Sequence, residues 1–193
     1  MRITGGDYRG RIIKAPQGLN VRPTTDKNRQ AIFNIIQKYG HPVDSHVLDL
    51  FCGTGALGLE AISRGALSCT FVDRDKTSIA FARENADQLG VNSYATFIHK
   101  EAARIGPRPS GVAQADLVFI DPPYRQGLIY SALAALVQSA VGKNAWLVPQ
   151  AIIVIESETE VPDDELSDLP FDLLDTRPYG DTMIRLLRYR GQP

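Results

Sequence analysis

The spacing of apolar and polar positions divides the chain into a short irregular start and a long alternation of strands and helices. Residues 1 to 15 alternate loosely around Gly5-Gly6-Asp7 and Arg9-Gly10-Arg11 before Ile12 and Ile13, which predicts a short β-hairpin lying outside the main sheet. After Pro16-Gln17-Gly18 and Arg22-Pro23, Thr24 or Thr25 can cap a helix running to about Lys38. Ala31, Ile32, Ile35 and Ile36 form its buried side and Gly40 its stop. Near-continuous apolar runs then predict strands at Val47 to Cys52, Cys69 to Asp73, Ala95 to His99, Asp116 to Asp121 and Ala151 to Glu156. Helical stretches separate them at Ala56 to Arg64, Lys76 to Leu89 and Leu128 to Val141. Strands that are apolar on both faces and joined through helices imply a parallel sheet covered on both sides.

The last part of the chain departs from that rhythm. Phe171 to Thr176 and Thr182 to Tyr189 are two strand patterns joined only by Arg177-Pro178-Tyr179-Gly180-Asp181, and strands so closely linked without a crossover must be antiparallel. The expected fold class is therefore α/β, with a seven-stranded, mostly parallel, Rossmann-like sheet ending in an antiparallel C-terminal hairpin, plus the short N-terminal β-hairpin. This organisation resembles the class I S-adenosylmethionine (SAM) methyltransferase fold. It divides the chain into a basic N-terminal extension, residues 1–22, and a main domain, residues 23–193.

Composition sharpens this outline in two ways. With 193 residues, 44% of them hydrophobic, the chain suits one globular domain with a full core. Cys52 and Cys69 both sit inside apolar runs, as small buried hydrophobes of a reducing cytoplasm would, and no apolar stretch approaches the ~18 residues of a membrane span. A soluble cytoplasmic protein without membrane partners is expected. The net charge of −1 conceals an asymmetry: residues 1–38 hold eight Lys or Arg against Asp7 and Asp26, while the remaining 155 residues hold 13 basic and 20 acidic side chains. Arg2, Arg9, Arg11, Lys14, Arg22, Lys27 and Arg29 are interleaved with glycines and Tyr8, a composition suited to close approach of a phosphate backbone. A merely solvated basic end is the plainer reading.

Candidate chemistry falls at successive strand ends. After the first core strand, Asp49-Leu50-Phe51-Cys52-Gly53-Thr54-Gly55-Ala56-Leu57-Gly58 matches the Gly-x-Gly-x-x-Gly turn of nucleotide sites, in which Gly53 and Gly55 let the backbone approach a ligand and Gly58 permits close helix packing. Asp49 separates the possible ligands: a pyrophosphate would be repelled by its carboxylate, whereas the ammonium and sulfonium of SAM would be attracted. Its plain alternative is a turn cap or an ion-pair partner. Asp73, twenty positions after Gly53, ends the next strand where a carboxylate reaches ribose hydroxyls, with Arg74 beside it as a further cofactor contact and Asp75 as the cap of the following helix. At the third strand end Glu101 can accept from an adenine amine and Ala102 can offer its N–H to the ring.

The fourth strand end reads Asp121-Pro122-Pro123-Tyr124. Two prolines fix φ near −65° and remove two N–H donors, leaving carbonyl oxygens and a carboxylate as acceptors. Asp121 and the Pro122 carbonyl would each accept an N–H of an exocyclic base amine, aiming its lone pair at the methyl donor, while Tyr124 stacks on a base turned out of its helix or taken from a loop. An Asp-Pro turn that merely ends a strand is the competing reading. His41, His46 and His99 lack metal-ligand spacing with the cysteines, so neither metal nor thiol catalysis is expected.

The resemblance narrows at the N-terminus. Arg2-Ile3-Thr4-Gly5-Gly6 with Arg9-Gly10-Arg11, then Leu19 to Asp26 with Arg29 and Phe33-Asn34, followed by Asp49 to Gly58, Asp121 to Gly127 and Ile155-Glu156-Ser157-Glu158, is similar to the RsmD family over essentially the whole chain. That resemblance implies methyl transfer from SAM, with S-adenosylhomocysteine as product, to the N2 amine of one loop guanine of 16S ribosomal RNA in the small subunit or its assembly intermediate. It also places Arg22 and Thr24 near the cofactor and Arg2, Arg9, Arg11 and Arg22 on rRNA phosphates. The family often has Glu where Asp73 stands and Asn or Asp where Glu101 stands. An adenine-N6 or other amine methyltransferase acting on nucleic acid would use the same Asp-Pro-Pro-Tyr, although 193 residues leave no room for a target-recognition domain beyond the extension. A noncatalytic RNA-binding assembly factor would be marked by loss of Asp49, Asp73 or Asp121, and all three are present. A monomer is expected.

Overall fold

The computed structural model describes residues 1–15, 26–123, 127–139, 144–157 and 166–191. Seven strands, β1 (His46–Leu50), β2 (Ser68–Asp73), β3 (Ala95–His99), β4 (Ala115–Ile120), β5 (Leu147–Ser157), β6 (Phe171–Tyr179) and β7 (Thr182–Tyr189), form one sheet in the order β3-β2-β1-β4-β5-β7-β6. The pairs from β3 through β5 are parallel, whereas β7 runs antiparallel to both β5 and β6. Helices α1 (Asp26–Ile36), α2 (Ala56–Ser63), α3 (Lys76–Leu89) and α4 (Leu128–Gln138) cover the faces. This is the Rossmann-like α/β sheet with an antiparallel finish expected from the sequence.

Alternation along the strands assigns each face its own core. Val47, Phe71, Phe119 and Val154 join one cluster with Ile32, Phe33, Leu59 and Ala82 from α1, α2 and α3. Leu48, Leu50, Val72, Val118 and Ile153 join the other with Leu133 and Leu136 of α4 and with Trp146. Gly58 makes the first face possible, because a Cβ there would lie 2.4 Å from the Phe71 ring and 2.5 Å from the Cys69 sulfur. Both cysteines are buried and free. No helix among the described residues is long and apolar enough to cross a membrane.

Two strand boundaries differ most from the sequence expectations. β5 begins at Leu147 rather than Ala151, passing through Gln150 at φ 69°, with a register shift opposite Ala115 and Leu117. β6 continues to Tyr179, so the C-terminal turn shrinks to Gly180-Asp181; Pro178 is tolerated because β6 is the sheet edge, where a missing N–H breaks no ladder bond. The short N-terminal hairpin expected outside the main sheet is present, pairing antiparallel through Arg2 and Ile12, with Ile3 donating to the Arg11 carbonyl and Ile13 to the Met1 carbonyl. It lies as a strap against the helices, with Ile3 and Ile13 fully enclosed in the same core as α1 to α3.

Glu60, in the middle of α2 and without solvent access, organises this docking. Its Oε2 accepts the Thr4 backbone N–H at 2.7 Å and Arg29 Nε at 3.2 Å, and its Oε1 accepts Thr4 Oγ1 and Arg64 Nε, each at 2.8 Å. Arg29 is equally buried and also donates to Asp26 and to the Arg2 carbonyl. The Arg64 guanidinium lies 4.8 Å over the Phe33 ring. Removing the carboxylate leaves the buried Arg29 guanidinium with only the half-exposed Asp26 as its anion, so Glu60→Leu is expected to destabilise the chain by about 3 kcal/mol or more in urea unfolding. Glu60→Leu combined with Arg29→Met should recover part of that loss.

Candidate active site

Parallel strands of one sheet end on one rim, and the register brings the carboxyl ends of β3, β2, β1 and β4 side by side. Phe51 to Gly55 turn the chain from β1 into α2, with Phe51 at φ 60°, Gly53 at φ 53° and Gly55 at φ 80°. Gly55 is the N-cap of α2 and donates its N–H to the Cys52 carbonyl at 2.7 Å. Asp73 fixes the loop from the neighbouring strand: its Oδ2 accepts the Gly53 N–H and its Oδ1 the Asp75 N–H, both at 2.9 Å. Asp75 caps α3 by accepting the Thr77 N–H, as expected.

Asp49 is buried, and its Oδ2 accepts the Gly58 N–H in the first turn of α2 at 2.9 Å. The cap suggested by the plainer sequence reading therefore exists, yet it leaves the carboxyl group in an unusual state. Burial is the main cause that pushes its pKa from 3.8 up to about 8; the Gly58 N–H opposes the rise, and the charges of Asp121 and Asp73 add to it. Three carboxyl groups from β1, β2 and the end of β4 thus converge, and at neutral pH one keeps its proton. Such a set suits a cation. The same surroundings, burial first and then Asp49 and Asp73, push the Cys52 thiol up, so it stays protonated and unreactive.

The other predicted site residues are distributed less tightly. Asp121 and Pro122 follow β4 directly and are half-buried. Glu101 precedes a single helical turn, Ala102–Arg104, and its carboxylate faces the exposed Arg104 at 3.7 Å, while the Ala102 side chain packs on the α4 side of the core. Arg74 is exposed, and its carbonyl accepts a hydrogen bond from His99 Nε2 at 2.9 Å. Arg2, Arg9 and Arg11 are exposed on the strap along α2 and α3, with Arg2 3.9 Å from Asp26. Arg22, Thr24 and Tyr124 lie outside the described residues.

Two residues were not anticipated. Phe51, a bulky side chain at positive φ, occupies a conformation that costs on the order of 1–3 kcal/mol and that nothing in its residue type announces. Asn85 is fully buried on α3, where it donates to the Thr54 carbonyl at 2.9 Å and the Lys14 carbonyl at 3.0 Å and accepts the Lys14 N–H at 2.7 Å. The strap and the glycine loop therefore share one clamp. Its signal was a lone amide among the apolar positions Ala82, Ala86 and Leu89.

The proton held by Asp49 has a measurable consequence. Folded Asp49 retains its proton between about pH 4 and 8 whereas the unfolded side chain releases it, so the contribution to stability is fully present below pH 4 and is lost as pH rises toward 8. Wild-type stability relative to Asp49→Asn is expected to fall by up to roughly 1.4 kcal/mol per pH unit across that window, measured by thermal or urea unfolding of the ligand-free chain. Parallel profiles would show that Asp49 is ionised throughout.

Comparison with known proteins follows the same outline. A family model described as "Conserved hypothetical protein 95" matches residues 1–188. YlbH of Bacillus subtilis (strain 168) is 36% identical over 197 residues, covering 99% of this chain and 100% of the relative. "Ribosomal RNA small subunit methyltransferase D" of Escherichia coli (strain K12) is 36% identical over 164 residues, covering 83% and 76%. The solved structure of yhhF from Escherichia coli superposes with a TM-score of 0.80 at 33% identity, covering 100% of this chain and 99% of that one. With matches that run through the strap, the glycine loop and the acidic strand ends alike, the chain belongs to the RsmD family.

Proposed function

We propose that this chain transfers a methyl group from SAM to the exocyclic N2 amine of a guanine in 16S rRNA of the small ribosomal subunit. The observation that carries this reading is the convergence of Asp49, Asp73 and Asp121 on one rim, a cation-binding set beside a glycine turn. Small-subunit rRNA as substrate is supported by the name of the Escherichia coli relative. Bound SAM supplies an electrophilic methyl on a positively charged sulfur that leaves as a neutral thioether, S-adenosylhomocysteine. Asp49 would face the cationic end, where a positive charge favours its ionised form. Asp73, already holding Gly53, has lone pairs left for the ribose hydroxyls, with Arg74 and the Glu101-Ala102 turn completing the adenosine side.

At the β4 end, Asp121 and the Pro122 carbonyl accept the two N–H groups of the base amine. Their pull offsets delocalisation of the nitrogen lone pair into the ring and points it along the line of displacement. The N–C bond forms as the S–C bond breaks, its electron pair goes to sulfur, and the proton leaves the nitrogen toward Asp121. Tyr124 stacks on the base at roughly 1–3 kcal/mol, which requires an unstacked loop nucleotide. Asp121→Ala should lower kcat by at least about 100-fold with SAM affinity retained, measured by labelled methyl transfer to undermethylated small subunits and nucleoside analysis. N6-methyladenine as the product would overturn the N2-guanine reading, and full turnover by the variant would overturn the role of Asp121.

A further inference from the structure

We infer that Glu156, at the end of β5, selects guanine by accepting the ring N1–H that lies beside the reacting amine. This rests on the proposed transfer to guanine N2 and names the group that reads the base. The register pairs Ile120 of β4 with Ile155 of β5, so Asp121 and Glu156 are the next residues on neighbouring strands about 4.8 Å apart. Side chains alternate between the faces of a sheet, and Phe119 and Val154 belong to the core under α1 to α3. Asp121 and Glu156, each two positions further on, are directed to that same face. Pro122 keeps Asp121 in extended backbone, and Ile184, the β7 partner of Glu156, lies in the same core.

The first turn of α1 closes this end of the rim. Asn28 donates Nδ2 to Glu156 Oε1 at 3.3 Å and to Thr182 Oγ1 at 3.5 Å. Glu156 is buried, and Asn28, itself tied to β7 through Thr182, sets the orientation of its carboxylate. One amide bond does not saturate a carboxylate, which has about four lone-pair sites. Docking α1 on the sheet does not call for a charge at this position. Thr182 already gives Asn28 a neutral acceptor, and two carboxylates side by side on adjacent strands oppose each other. A substrate N–H directed between them relieves that opposition.

The donors on the bases decide which substrate does so. The Pro122 carbonyl, Asp121 and Glu156 together offer acceptors to three N–H groups. Guanine carries three on one edge, two on N2 and one on the adjacent N1. Adenine and cytosine also bear an amine, but the ring nitrogen beside it, N1 or N3, has a lone pair and no proton. That lone pair would face the Glu156 carboxylate with nothing to share. A site built to pair with a substrate N–H rejects an analogue lacking it far more strongly than it rejects a missing methylene, because a buried polar group is then left without its partner.

The test uses small subunits reconstituted with 16S rRNA that carries either guanosine or 2-aminopurine riboside at the methylated position. 2-Aminopurine keeps the N2 amine but has no proton on N1. Wild-type kcat/KM should favour guanine by about 100-fold or more. Glu156→Gln, whose amide can donate to an unprotonated N1, should lower transfer to guanine, raise transfer to 2-aminopurine and shrink the preference to about tenfold or less. Asn28→Ala, which releases the carboxylate from its orientation, should narrow the preference to a smaller degree. Both substrates are compared within one variant, so a loss of folded protein cancels from the ratio. Equal losses on both substrates, or the wild-type preference retained in Glu156→Gln, would overturn the assignment and leave Glu156 a structural acid. Absence of any transfer to guanine N2 by the wild type would overturn the proposed function instead. Binding of the same two subunits would then decide the role of Glu156: a wild-type preference for guanine that Glu156→Gln abolishes upholds it, and equal binding by the wild type overturns it.

Discussion

Glu60 has no access to water, and groups from the N-terminal strap, α1 and the end of α2 converge on its two oxygens. A charge in that position is tolerable only if every partner is present, so the node makes the docking of three segments one cooperative event. Hydrophobic burial alone would leave the strap free to slide along α2. The hydrogen bonds fix its register, and with it the height of every basic side chain relative to the rim where Asp49, Asp73 and Asp121 meet.

The rim itself is held against its own electrostatics. Three carboxyl groups placed together would scatter in water; here strand ends fix their backbones, Gly58 and Gly53 supply one N–H each, and Asp49 relieves the repulsion by keeping a proton. Phe51 at positive φ adds backbone strain to the same five-residue turn. Interactions elsewhere, the two apolar layers above all, supply the stability that lets this region remain in place.

The sequence disclosed the fold well because its strands are apolar on both faces and its helices are not, which fixes a parallel core, and because the chain between β6 and β7 is too short for a crossover. Strand limits were harder: Pro149-Gln150 resembles a loop until β4 pairs beside it, and Pro178 resembles a turn unless its strand is known to be an edge. In the site, residues that act through type and position, Asp49, Asp73 and the two glycines, stood out from spacing. Asn85 and Phe51 did not, since their importance comes from what another segment brings to them. The docking of the strap was illegible for the same reason: Thr4 looks like a turn residue until Glu60, fifty-six positions later, is placed opposite it.

The open ends of the sheet bear on how the molecule behaves in a crowd of its own copies. An edge strand ordinarily offers unpaired N–H and C=O groups on which another chain can continue the sheet. On β6, Pro178 lacks the donor, the register shifts between Leu173 and Asp175, and Asp172, Asp175 and Arg177 place charge along the same ribbon. These features make β6 a poor template, so an exposed leucine such as Leu173 can be carried on the rim of a seven-stranded sheet with little tendency to seed aggregation.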